Sequence, residues 1–330
     1  WYENDGAADP SFTARTITTS ADGVWTVYAA DIDNDGDIDV LAASFEDDKI
    51  AWYENNGAAD PSFTANTIAT SINGAIGVYA ADFDNDGDMD ILSAAYTDGK
   101  IAWHENDGAA DPSFTARTIA TSFDGASGVY AADFDNDGDM DILSAAYNDD
   151  KIVWYENDGA ADPSFTANTI ATSADGAIGV YAADIDNDGD IDVVSALLID
   201  DKLVWYENDG AADPSFTANT ITTSADGAVG VYAADIDNDG DVDVLAASQN
   251  DDKIAWHENN GAADPSFTAR TITTSADGVR SVYAADIDND GDQDIVSASM
   301  NDNTVAWYEN GLSAFGDPTF GSANITTSAD

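Results

Sequence analysis

Residues 78–106 read VYAADFDNDGDMDILSAAYTDGKIAWHEN. Val78–Asp82 is small and alternating, and Ile91–Ala95 is a continuous apolar run of the length a buried strand needs. Lys100–Asn106 alternates around Trp103 and runs into Asn-Asp-Gly, a strong hairpin-turn signal. Beyond it, Phe114–Thr121 alternates again and is rich in β-branched residues. Pro112 falls in the turn before that stretch, where its missing N–H costs no ladder bond. Nothing here keeps a helical period, so the stretch predicts four short antiparallel strands with an acidic loop between the first two.

The same pattern returns along the whole chain. Trp recurs at Trp1, Trp52, Trp103, Trp154, Trp205, Trp256 and Trp307, a constant step of 51 residues. The Asp-rich nonapeptide keeps that step, opening at Asp31, Asp82, Asp133, Asp184, Asp235 and Asp286. Only the last copy drifts, over 311–323, as a terminal repeat in a different environment would. Four-stranded units at such a period are the signature of β-propeller blades, and radial closure protects many short strand edges. The expected fold is therefore all-β: one propeller domain over 1–330, with repeats starting near Trp1, Trp52, Trp103, Trp154, Trp205 and Trp256 and a half repeat at 307–330. The chain opens on a third strand and closes on a fourth, so six blades leave two strands over and seven lack two.

Composition narrows the function. The chain of 330 residues carries 65 Asp plus Glu against 9 Lys plus Arg, a formal net charge of −56. Nucleic acid is not an expected partner, because phosphate neutralisation needs clustered cations. Membrane insertion is not expected either, since no apolar run approaches the roughly 18 residues of a spanning helix. Having no cysteine excludes disulfides, thiol catalysis and thiolate metal sites. With 44% hydrophobic residues and 8 Trp, the chain nonetheless has the means to build a core. Trp1 is neither an initiator Met nor part of a leader, so an excised or processed piece is expected.

The acidic loop Asp31-Ile-Asp33-Asn-Asp35-Gly36-Asp37-Ile-Asp39 carries the chemistry. Oxygens at positions 1, 3 and 5, the carbonyl at 7 and a carboxylate at 9 can wrap one hard cation, with Gly at 6 turning the chain. Carboxylates this close repel without a counter-ion. Oxygen-only donors favour calcium over zinc or copper, and magnesium's stricter octahedron fits less well. An EF-hand is excluded: position 12 is Ala42, and both flanks read as strands. About six calcium ions are expected, one per complete repeat.

These residues, VYAADFDNDGDMDILSAA followed by KIAWHEN, resemble the FG-GAP/VCBS repeats of bacterial secreted and surface proteins and, more distantly, the calcium-binding blades of the integrin α-subunit propeller. The resemblance implies a propeller with calcium between the first and second strands of each blade. Its ligands map onto Asp31, Asp33, Asp35, Asp37 (by its carbonyl) and Asp39. In the next two copies they are Asp82, Asp84, Asp86, Asp88, Asp90, and Asp133, Asp135, Asp137, Asp139, Asp141. The fourth and fifth supply Asp184, Asp186, Asp188, Asp190, Asp192, and Asp235, Asp237, Asp239, Asp241, Asp243. The sixth supplies Asp286, Asp288, Asp290, Asp292 and Asp294. The integrin version's naming phenylalanyl-glycyl and glycyl-alanyl-prolyl pieces are absent.

The copies differ most at two places: before the first strand (Trp25, Ile76, Ser127, Ile178, Val229, Arg280) and after the second (Phe45, Tyr96, Tyr147, Leu198, Gln249, Met300 and their successors). Both belong to the face opposite the acidic loops, so Trp25, Tyr96, Tyr147 and Arg280 are ligand-face candidates, with drift at exposed loops as the alternative. The repeated Trp reads as inter-blade core, His104 and His257 as structural replacements for Tyr, and Glu54 as a partner for local backbone donors or a group that steadies the hairpin. No nucleophile–base pair or phosphate loop appears, so the chain is expected not to be an enzyme. The expected function is a calcium-stabilised, secreted or cell-surface bacterial module for adhesion or binding, recognising a polysaccharide or protein. The alternative is a calcium-stiffened spacer or filament subunit, self-associating through its terminal half repeat.

Overall fold

The computed structural model describes residues 1–311 and 318–326. Parts of the expected C-terminal half repeat, 312–317 and 327–330, lie outside the described residues. Among the described residues the regular elements are strands, in one two-stranded and six four-stranded antiparallel sheets. A hairpin of β1 (Tyr2–Asn4) and β2 (Phe12–Ala14) opens the chain. Blade 1 follows with β3 (Val24–Ala30), β4 (Asp39–Ser44), β5 (Lys49–Asn55) and β6 (Phe63–Thr70). Blades 2 to 6 repeat that order over 75–120, 126–171, 177–222, 228–273 and 279–326. The fold is a six-bladed β-propeller, so the choice left open between six and seven blades falls on six complete ones. No helix is long and apolar enough to cross a membrane among the described residues.

The strand patterns follow from position in the blade. The second strand is covered on both faces, which is why ILSAA-type runs are apolar throughout; in blades 2 to 5 all six of its residues are buried. The third pairs with it in register, Leu41 opposite Trp52 and Ala42 opposite Ala51. The fourth is the outer strand and alternates, with a register shift against Ile50 and Ala51 that recurs in later blades.

The chain divides into two compact units, 16–177 with blades 1 to 3, and 1–15 with 178–330, holding β1, β2 and blades 4 to 6. Within each unit, neighbouring blades share a core. In the first, Leu41, Ile50 and Trp52 of blade 1 pack with Ala75, Val78 and Ile91 of blade 2, and Trp52 meets Phe114 edge to face at 6.4 Å. Trp therefore serves as inter-blade core. First strands approach through tyrosines: Tyr28, Tyr79 and Tyr130 follow one another at 4.6 and 4.8 Å, as do Tyr181, Tyr232 and Tyr283 at 4.6 and 4.5 Å in the other unit. Gly77 is needed at this approach, since a Cβ there would sit 2.7 Å from the Ser127 carbonyl.

Candidate metal centre

Each acidic loop is built by its own side chains. In blade 1, Asp31 accepts the Asp35 and Gly36 N–H groups at 3.1 and 3.0 Å. Asp33 accepts Asp35 N–H at 3.2 Å and Asp35 accepts Asp37 N–H at 2.9 Å. Two residues are left-handed: Asn34 at φ 58° and Gly36 at φ 96°. Asn tolerates that region best after Gly, so the repeated Asn-Asp-Gly is a conformational requirement. The wrapped backbone turns carboxylates inward. Ligand oxygens of Asp31, Asp33 and Asp39 lie within 4.8 Å of one another, as do those of Asp133, Asp135, Asp141 and Asp184, Asp186, Asp192. In the second and fifth loops the triplets are Asp82, Asp84, Asp86 and Asp235, Asp237, Asp239.

The ninth-position Asp also clamps the blade. Asp39 is fully buried and accepts Ile32 N–H at 3.1 Å with one oxygen and Asn55 N–H at 2.7 Å with the other. It thereby ties the loop's start to the end of β5. Burial drives the equivalent carboxyls upward despite these two donors: Asp90, Asp141, Asp192 and Asp243 reach about 7. Asp84 and Asp135 rise through burial and then the charge of the next Asp, and Asp237 reaches about 6 for the same reasons. An oxygen-only donor set whose third- and ninth-position carboxyls resist ionisation is what a hard cation relieves. The residues fit calcium.

Two sets of asparagines link the loops, and the sequence reading passed over both. Asn34 donates to the Asp88 carboxylate of the next loop at 2.8 Å, and Asn85 to Asp139 at 2.6 Å. In the other unit Asn187 reaches Asp241 at 2.9 Å and Asn238 reaches Asp292 at 3.0 Å. Position 7 thus turns its carboxylate toward the preceding blade. In blades 2, 3, 5 and 6 the buried Asn that closes the third strand bridges two loops: Asn106, for one, donates to the Ile32 and Met89 carbonyls, both at 3.0 Å. Their recurrence in every copy was the available signal. Of the two roles expected for Glu54 the structure shows the one within the hairpin: it accepts from Asn66 across the strands at 3.2 Å, and Glu105 pairs with Arg117 at 2.6 Å.

On the opposite face the candidates separate. The acidic loops and Asn-Asp-Gly turns do share one end of each blade: Asn55 donates to the Ile38 carbonyl at 3.0 Å. The other two connections share the other end, with Asp22 N–H on Asp47 at 2.9 Å. Position 25, however, is no loop residue. It is the bulged residue of the first strand, and its counterparts Ile76, Ser127 and Val229 are buried. In those three copies variation there is variation of core. Trp25 itself is 52% exposed and tilts against Phe45 at 6.1 Å. Tyr96 and Tyr147 are half-buried rather than exposed and lie against each other at 6.1 Å. Arg280 contacts Met300 Sδ at 3.6 Å. His104 is in the core with Nε2 2.9 Å from Ser93 Oγ, and burial lowers it and His257 to about 4.

Blades with a cation-competent Asp loop between first and second strands define a class of acidic-loop propeller. The FG-GAP-like repeat model matches residues 1–42, 32–93, 90–144, 137–195, 189–246 and 235–297. The chain belongs to the FG-GAP-like repeat family. Compared with curated proteins, it has no significant match. Among solved structures, it is similar to an Agrocybe aegerita lectin that recognises non-reducing terminal N-acetylglucosamine, at 17% identity and TM-score 0.61, covering 92% of this chain and 80% of that one. It is similar to the Pseudomonas aeruginosa periplasmic gluconolactonase at 13% identity and TM-score 0.65, covering 100% and 93%. A luciferin-regenerating enzyme matches at 12% identity and TM-score 0.52, covering 86% and 87%. Such identities establish a shared fold. They also correct the expectation that the chain is not an enzyme: two of these propellers are enzymes, so near-identical repeats and a missing nucleophile–base pair do not exclude catalysis on this fold.

Proposed function

We propose that the chain is a calcium-stabilised binding module, working in an extracellular or periplasmic setting on a polysaccharide or protein ligand. The observation that carries it is the set of inward-turned carboxylates, ligand oxygens within 4.8 Å of one another, repeated from blade to blade. Positions 1, 3 and 5, the carbonyl of 7 and the carboxylate of 9 would hold each ion. Bound calcium would supply positive charge that lets the third- and ninth-position carboxyls ionise together. Affinities on the order of 10⁻⁴–10⁻³ M, usual for extracellular modules, suit constant occupancy outside the cell. The periplasmic and lectin relatives support the setting and the ligand class. Trp25 with Phe45, and Tyr96 with Tyr147, offer aromatic surface at the end opposite the metals.

The test is capture on a broad polysaccharide and glycan panel, in calcium and in chelator, read for turnover as well as retention. Calcium-dependent retention of one sugar class, lost on Trp25→Ala or Tyr96→Ala, supports the glycan reading. A blank panel from folded, calcium-loaded protein removes the glycan and leaves a protein ligand.

A further inference from the structure

The repeated Trp does more than fill the space between blades. Trp52, Trp205, Trp256 and Trp307 are at most 3% exposed, and the indole N–H of each has no hydrogen-bond partner among the described residues. A buried donor left unmade is costly, so four of them at one position of the repeat call for a cause. Packing alone does not supply it, because Phe or Leu would fill a core without a donor to satisfy. The positions on either side change between copies, Ala51 becoming Val153 and Tyr53 becoming His104, while Trp stays.

That N–H lies against the acidic loop. Trp52 packs in one core with Ile32, the second residue of its own blade's loop, as Trp205 does with Ile185 and Trp256 with Ile236. The backbone N–H of the same loop residue is held by the ninth-position Asp: Ile32 on Asp39 at 3.1 Å, Ile185 on Asp192 at 3.0 Å, Ile236 on Asp243 at 3.1 Å. Burial raises Asp39, Asp192, Asp243 and Asp294, and after the backbone donors the indole of the same blade's Trp is among the groups that pull each one back. The indole N–H therefore stands beside the carboxyl, close enough to favour its charged form, without reaching hydrogen-bond geometry. Each oxygen already accepts one backbone N–H, from Ile32 and Asn55 at Asp39. A carboxylate has about four acceptor positions, which leaves room for an indole and a cation together.

We propose that Trp52, Trp205, Trp256 and Trp307 are positioning residues of the cation sites: each indole N–H closes onto its ninth-position carboxylate when calcium binds, and fixes that ligand. The inference rests on the calcium reading above. A bound cation holds the carboxyl ionised, and an ionised carboxylate is the stronger acceptor. The third donor then sets the ligand's orientation, as outer partners of metal ligands do. The same ring is inter-blade core, Trp52 lying edge to face with Phe114 of the next blade, so occupancy of a loop reaches the packing between blades through one side chain.

The experiment follows the indole N–H resonances of isotope-labelled protein through a calcium titration, beside calorimetry of the same samples. At least four of the eight Trp signals should move downfield and exchange more slowly with solvent. The signal of Trp25, at the opposite end of its blade and assigned by Trp25→Phe, should stay. Trp205→Phe keeps an aromatic ring and removes the N–H, so one site should weaken roughly tenfold or more while the others keep their affinity. Should that variant fail to fold, the wild-type shifts, which need no substitution, decide. Calcium heats accompanied by indole signals that do not move overturn the proposal and leave the calcium reading standing. So does a folded Trp205→Phe protein that binds calcium as the wild type does. No calcium heat at all removes the calcium reading, and the proposal with it.

Discussion

Gly108 and Gly6 occupy the same turn in different surroundings, which makes them a matched pair. Both have positive φ, 65° and 70°, so a Cβ strains either. At Gly108 that Cβ would also overlap the Asp88 carboxylate, while at Gly6 it meets nothing within 4 Å. Gly6→Ala should cost about 1 kcal/mol from backbone strain. Gly108→Ala should cost more and weaken calcium binding, because it displaces the loop residue that Asn34 holds; denaturant unfolding and calorimetry check both. Titration gives a second prediction at this scale. Asp90, Asp141, Asp192 and Asp243 have folded values near 7, above their unfolded values, so the folded state binds more protons from about pH 4 upward. Their contribution is present below about pH 4 and is lost as pH rises through 7. His104 and His257, lowered to about 4, act with the opposite sign between their folded and unfolded values, but there are two of them against four carboxyls. In chelator the melting temperature should therefore fall from pH 4 to pH 7, and calcium should flatten the fall. A melting temperature that climbs with pH in chelator would contradict the assignment.

At the scale of elements, the acidic loops within a unit are tied in series by Asn-to-Asp bonds. Asn85→Gly keeps the left-handed backbone and removes the bond to Asp139. It should lower the cooperativity of calcium binding while leaving the number of sites unchanged, as titration calorimetry would show. Asn106→Ala removes a buried amide that serves two carbonyls and should cost about 1–3 kcal/mol. Asn55→Ala, whose amide reaches only the Ile38 carbonyl, should cost less. The strands and the loop were legible in the chain because periodicity and a fixed spacing of Asp and Gly write them locally. The inter-blade asparagines were not, since the carbonyl that Asn106 reaches belongs to Ile32, 74 residues away. Position 25 was misread for a related reason. A one-residue bulge at the start of the first strand turns its counterparts Ile76, Ser127 and Val229 into the core, and no local pattern distinguishes a bulged residue from the end of a loop.

For the molecule as a whole, repetition was both the clue and the obstacle. A constant 51-residue step announces blades, yet it does not say where a blade starts. The folded frame begins at a first strand, Val24, so β1 and β2 stand apart from the six complete sheets. The acidity follows from the same duplication, since each copy brings its own loop, and under the proposed reading the fold depends on cations as a unit. Calorimetric calcium titration paired with melting in calcium and in chelator tests that dependence most directly. The account predicts about one weak site per complete repeat, with dissociation constants on the order of 10⁻⁴–10⁻³ M, and a melting temperature that drops when calcium is removed. No binding heat together with an unchanged melting temperature in chelator would contradict it.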